Sequence, residues 1–142
     1  MIDWVLLPTF DKTNCDHVRV KEGIEIGNGL PTLVTANDIV KDLEGSGFEV
    51  LDIFDTNEGM NSEYEIPWYH TLYGSFTLQG FRMTRIGRMF THVLVTGLEL
   101  LNIAPKGATR VSALLNATAL DLVEAGKIEI FTPCMFILAR KA

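Results

Sequence analysis

Residues 127–141 read KIEIFTPCMFILARK, and the fold turns on how they are interpreted. Met135, Phe136, Ile137, Leu138 and Ala139 form an unbroken apolar run, with Thr132-Pro133 before it and Arg140-Lys141 after it. Leu, Met and Ala are good helix formers, so residue type alone does not decide. The run is short for a helix, and the residue before a proline is pushed toward extended backbone. Residues 134–140 are therefore expected to form a strand buried on both faces. Residues 127–131 are expected as a separate strand before it. A strand covered on both sides sits inside a sheet, and this chain is expected to supply only part of that sheet.

The 142 residues, 47% of them hydrophobic, suffice for one domain with a real core. A net charge of -6 without a Lys/Arg cluster argues against a nucleic-acid partner. No apolar run approaches the roughly 20 residues needed to cross a bilayer. Met1-Ile2-Asp3-Trp4 lacks the basic start of a secretory leader, so a cytoplasmic location is expected. Cys15 and Cys134 are far apart and without metal-ligand spacing, which reads as two reduced thiols. His17 and His70 are lone histidines, and no metal is expected. There is no phosphate-binding glycine loop and no nucleophile elbow.

Residues 2–7 read as a short strand stopped by Pro8. Residues 15–31 are ambiguous. Val18, Val20, Ile24 and Ile26 alternate with polar residues, as in a strand, while the charge density permits a helix. Gly27-Asn28-Gly29 is expected to make a tight turn. Thr35-Ala36-Asn37-Asp38 matches a capping box, and Ala36, Ile39, Val40 and Leu43 recur at helical spacing up to Gly45-Ser46-Gly47. Residues 48–54 follow as a strand, which makes an αβ unit. Residues 55–65, acidic and turn-rich, divide two subregions.

Residues 81–101 are the longest helical candidate. Met83, Ile86, Phe90, Val93, Gly97 and Leu101 make one apolar stripe, and Arg82, Arg85, Arg88 and His92 line a neighbouring face expected to be solvated. Thr109 is placed to cap the last helix, with Gly126 at its end.

Two groups carry candidate chemistry. Trp68, Tyr69, Tyr73, Phe76 and Phe81 concentrate aromatic surface, which can line a pocket for a large apolar ligand or stabilise a cation, although filling the core is the commoner use of such residues. Glu25, beside Gly27-Asn28-Gly29, can act as a base when partly desolvated, although a solvated turn acid is the commoner outcome.

Six blocks in order carry a family resemblance: GIEIGNGLP (23–31), GFEVLD (47–52), PWY (67–69), FRMTRIGRMFTH (81–92), LNIAPKG (101–107) and GKIEIFTPCMFILARK (126–141). They resemble the C-terminal portion of sterol 24-C-methyltransferases, with the spacing of the plant and algal branch. The resemblance implies an α/β fold, the C-terminal part of a class I (Rossmann-like) methyltransferase sheet. About three main strands are implied, at 2–7, 48–54 and 134–140, with the last inserted antiparallel between the other two. It divides the chain into core (1–65), a helical sterol-side cover (66–126) and final strands returning to the core (127–142). It implies that residues 14–26 are helical. It implies a sterol substrate, contacted by Trp68, Tyr69, Tyr73, Phe76 and Phe81, with Glu25 and Asn28 as catalytic candidates orienting polar groups near the reacting carbon. S-adenosylmethionine is the cofactor of such enzymes, but the family's glycine-rich donor loop has no counterpart in these residues. The chain alone is therefore expected to bind no cofactor and to be inactive. His70-Thr71 after PWY and Asn28, where an Asp is common, depart from the pattern. The resemblance is compatible with peripheral attachment to the endoplasmic reticulum membrane and with a homo-oligomer. Two other readings stay open: a non-catalytic sterol-binding module, and a structural piece whose strand at 2–7 needs a partner to complete the sheet.

Overall fold

The computed structural model describes residues 1–58, 66–72 and 78–141. Its sheet has three strands in the order β1-β3-β2, where β1 is Ile2–Leu6, β2 is Phe48–Asp55 and β3 is Phe131–Lys141. β3 lies in the middle and runs antiparallel to both neighbours, with Ile2 opposite Phe136 on one side and Ile53 opposite Ile137 on the other. The expected inserted last strand is therefore present.

The two expected strands at 127–131 and 134–140 are instead one strand of eleven residues. Residues 128–130 form a turn whose polar groups are used elsewhere: Ile130 N–H donates to Ala125 O at 3.1 Å, and Ile130 O accepts from Leu7 N–H at 2.9 Å. Pro133 stays inside β3 because the ladder is irregular there. Thr132 faces Val5 and Met135 faces Asp3, so three steps of β3 cross two of β1. A proline without an N–H is tolerated at such a bulge.

Burial on both faces holds for only part of β1 and β3, and no residue of β2 is fully buried. Val5 and Leu6 are buried, as are Phe131, Thr132, Met135 and Ile137, but Ile2 and Leu138 are exposed. Val5, Met135 and Ile137 pack against Ile39 of helix α2 (Ala36–Gly45) on one face. Leu6 and Phe131 pack on the other face with Val20 and Ile24 of α1 (Cys15–Asn28) and Ala125 of α5 (Ala108–Lys127).

Residues 15–28 are a helix, and the alternation is misleading there. Asn14 caps the first turn by accepting from Asp16 N–H at 2.9 Å. Lys21 and Glu25 pair at 2.5 Å one turn apart. Of the alternating apolar residues, only Val20 and Ile24, four apart, reach the core, and Ile26 is exposed. The expected Gly-Asn-Gly turn shrinks to Gly29, the residue with left-handed φ that ends α1. Gly27 is helical, and its lack of a side chain lets α1 approach α5: a Cβ there would collide with buried Thr118. The capping box on α2 forms as the sequence requires, with Thr35 and Asp38 bonding reciprocally, a cap worth about 1 kcal/mol.

The expected helix at 81–101 is two, α3 (Leu78–Met83) and α4 (Arg85–Leu100). Thr84 between them is extended; its hydroxyl donates to Phe81 O at 2.6 Å and accepts from Gly87 N–H at 3.1 Å. Gly107 is the cap residue before α5, and Thr109 does not cap the helix with its side chain. Glu99 of α4 does that work across the hairpin, one carboxylate oxygen accepting from Gly107 N–H and the other from Thr109 N–H, both at 2.7 Å.

The Thr109 hydroxyl and the two amides hold the Glu99 carboxyl at about 2, below its ordinary 4.5. A depressed folded-state value means that the clamp stabilises fully above the ordinary value and is lost as pH falls toward about 2. Glu99→Gln replaces one acceptor with a donor facing an amide. It is expected to lower the melting temperature at neutral pH and to flatten its fall between about pH 5 and 2. Thermal melts by circular dichroism check this, and an unchanged acid profile would remove Glu99 from the account.

Candidate functional site

In open α/β sheets, ligands bind outside the carboxyl ends of the strands. Here those ends are Leu7-Pro8-Thr9 after β1 and Phe54-Asp55 at the end of β2. Antiparallel β3 begins at the same end with Phe131. A cavity of about 570 Å³ opens there, within the range of small-molecule pockets. Ala36, Asn37 and Val40 of α2 form one wall, and Pro67, Trp68, Tyr69 and Gly126 form another.

The aromatic wall is positioned by packing. Trp68 and Tyr69 lie on a 3₁₀ turn, Trp68–Leu72. Trp68 meets Phe131 edge-to-face at 5.8 Å between centroids and Tyr69 at 5.7 Å, and Phe131 meets Trp4 at 5.4 Å. Edge-to-face contacts of this kind fix ring orientation. The Tyr69 ring lies against Gly126, in space that a Cβ would occupy.

The polar end of the cavity is fixed by Asp55. Its Oδ1 accepts from the Thr132 hydroxyl at 2.8 Å and from Asn57 N–H at 2.9 Å. Asn57 Nδ2 in turn donates to Thr132 Oγ1 at 3.0 Å. Thr132 is buried, so its hydroxyl has no water to turn to and holds the carboxylate in place. Glu58 and Glu129 also line the cavity, and the Thr9 hydroxyl donates to Glu129 O. The site thus offers flat aromatic surface at one side and oriented carboxylate at the other.

Of the residues expected to contact a ligand, Trp68 and Tyr69 line this cavity. Phe81 lies on α3, exposed and away from the lining. Tyr73 and Phe76 fall outside the described residues. Glu25 and Asn28 do not line the cavity either. Glu25 Oε1 pairs with Lys21 and accepts from Leu33 N–H at 2.6 Å, tying the loop after α1 to that helix. Asn28 Nδ2 donates to Ile24 O at 2.9 Å. The sequence reading missed Asp55, Asn57 and Thr132. In the sequence Asp55 reads as the start of a dividing segment, although an acid at the carboxyl end of a strand is itself a signal. Among the described residues there is no group of acidic, His or Cys side chains able to hold a metal ion. Both cysteines are free.

Residues 78–142 match the family model described as the sterol methyltransferase C-terminal region. Over 140 residues the chain is 39% identical to cycloartenol-C-24-methyltransferase 1 of Oryza sativa subsp. japonica, covering 98% of this chain and 40% of that protein. Identity and coverage are the same for the cycloartenol-C-24-methyltransferase of Arabidopsis thaliana. The sterol 24-C-methyltransferase of Saccharomyces cerevisiae is 37% identical over 150 residues, 98% of this chain and 38% of that protein. The chain spans about 40% of the length of the curated relatives it matches. No solved structure matches it.

The close approach of Tyr69 to Gly126 gives a test of the wall. Gly126→Ala is expected to displace the ring and to cost about 1–3 kcal/mol through overpacking. Urea unfolding and a red shift of tryptophan emission check it. An unchanged midpoint and spectrum would mean that Tyr69 is not seated there.

Proposed function

We propose that this chain is the sterol-facing C-terminal part of a sterol 24-C-methyltransferase, an enzyme of sterol biosynthesis that moves a methyl group from S-adenosylmethionine to a sterol side chain. The observation that carries the reading is similarity to such enzymes over 98% of the chain. Residues 1–65 and 127–142 belong to a Rossmann-like core and residues 66–126 to the sterol-side cover.

In this reading the sterol lies in the cavity at the strand ends. Trp68 and Tyr69 supply its flat apolar contacts, with Leu7 and Phe131 completing the surface. Their rings can also stabilise positive charge on a bound ligand, worth about 2 kcal/mol when desolvated. Asp55, oriented by Thr132 and Asn57, is the polar group at the cavity. The residues present do not fit the methyl donor itself. Leu7 to Asn14 after β1 contains no glycine, and the segment after β2, Thr56 to Glu65, contains a single one, Gly59, rather than a glycine-rich run. The donor is therefore assigned to residues other than these, and the 142 residues alone are read as inactive. The whole enzyme is placed at the endoplasmic reticulum membrane as a peripheral protein.

Titration of the chain with a fluorescent sterol tests the reading. Saturable micromolar binding is expected, weakened at least about tenfold by Trp68→Ala or Tyr69→Ala. No saturable binding, or binding indifferent to both substitutions, would overturn the assignment of the cavity. A radiolabel-transfer assay is expected to give no product with this chain alone; turnover would refute its inactivity and would show that these residues hold the donor.

A further inference from the structure

Helix α4 is built inside out. Apart from exposed Arg85, its polar side chains are half-buried, while most of its large apolar ones are exposed. Arg88, Thr91, His92, Thr96 and Glu99 are half-buried. His92 Nδ1 meets Ser112 Oγ of α5 at 3.4 Å, Glu99 clamps Gly107 and Thr109, and Arg88 donates to the carbonyls of Leu72 and Met83. The opposite face carries Ile86, Met89, Phe90, Val93, Leu94 and Leu100, each more than half exposed. Of the Arg/His face expected to meet solvent, Arg88 and His92 are instead half-buried, while Arg85 is exposed. Leu101 and Ile103, in the turn toward α5, are 70% exposed and extend the apolar surface. None of these residues lines the strand-end cavity, so a ligand held there does not cover them.

Charge is segregated with the apolar surface. Residues 78–120 hold five Arg/Lys and one acid, a net +4, while the other residues hold seven Arg/Lys and seventeen acids, a net -10. Arg85, Lys106 and Arg110 are exposed beside the apolar face and the turn. A strongly amphipathic helix flanked by basic residues, on an otherwise acidic protein, has the makeup of an element that lies in an anionic lipid interface. A second copy is the weaker match, because symmetric pairing through this face would set +4 against +4.

We infer that the α4–α5 hairpin docks on an anionic lipid surface, with the outward face of α4 buried among the acyl chains and Arg85, Lys106 and Arg110 at the headgroups. The inference gives a contact surface to the membrane placement proposed above but rests on the hairpin's own geometry, and vesicle binding is separable from sterol binding.

Flotation of the full 142-residue chain with phosphatidylcholine vesicles, with and without phosphatidylserine, tests it. The chain is expected to float with the phosphatidylserine vesicles and to be released by high salt. Val93→Asp, and the pair Lys106→Glu with Arg110→Glu, are each expected to weaken partition at least about tenfold. Lys41→Glu on α2 changes net charge equally per site but lies outside the hairpin, and should leave partition within about twofold. Circular dichroism confirms that each variant is folded. Absence of flotation, equal flotation on both vesicle types, or indifference to Val93→Asp would overturn the inference. So would a dimer in sedimentation equilibrium that Val93→Asp dissociates, with no vesicle binding, since the face would then belong to a second copy. Vesicle binding lost while the fluorescent sterol still saturates would reject the surface and leave the sterol reading standing.

Discussion

β3 hydrogen-bonds along both of its edges, and the positions of the other elements follow from that. A strand paired on both sides must match two registers at once. The two irregularities in the sheet, opposite Asp3–Val5 in one ladder and at Val50–Asp52 in the other, are where that mismatch is absorbed. The first also accommodates Pro133, which has no N–H to offer. Because β3 runs antiparallel to both neighbours, its first residues lie at the carboxyl ends of β1 and β2. Phe131 and Thr132 are thereby delivered to the cavity from the far end of the chain. One becomes the hub of an aromatic cluster, and the other the hydroxyl that orients Asp55.

The helices divide into two kinds. α1 and α2 bury apolar residues beside the sheet, Val20 and Ile24 from α1 and Ile39 from α2, and both are capped. α4 depends instead on polar contacts with its neighbour. Its Glu99 satisfies two amides at the start of α5 that would otherwise meet only water, as the first N–H groups of any helix do. Gly107, at the cap position, has no side chain that can do this. The price is an apolar face left turned outward, and that face lies in a stretch, residues 78–120, with a net charge of +4.

The cavity joins these two regimes. Its floor comes from the sheet, held by burial and by the Asp55 network, while its aromatic wall comes from a short turn held by ring packing and by the fit of Tyr69 against Gly126. The floor is therefore expected to be the firmer part, since Thr132 is buried and bonded to half-buried Asp55 and Asn57. Similarity to sterol methyltransferases runs through both parts, so the cavity cannot be assigned to the helical region alone.

Local chemistry was legible in the sequence wherever one segment sufficed to satisfy it. The Thr35–Asp38 capping box, the strand expected at 48–54 and the inserted last strand all read correctly from neighbouring residues or from the family blocks. Where a residue's partner lay far along the chain, the reading failed. Period-two spacing at Val18 to Ile26 could not reveal that α5 would select only Val20 and Ile24. Asp55 looked like the start of a linker until Thr132 came to meet it. Arg88 and His92 read as part of a solvated face, but both are half-buried, and His92, Thr96 and Glu99 find their partners around the start of α5. Side-chain periodicity fixes that a helix has two faces, but which face turns inward is set by the hydrogen bonds and packing of the element beside it, and only the tertiary structure supplies that neighbour.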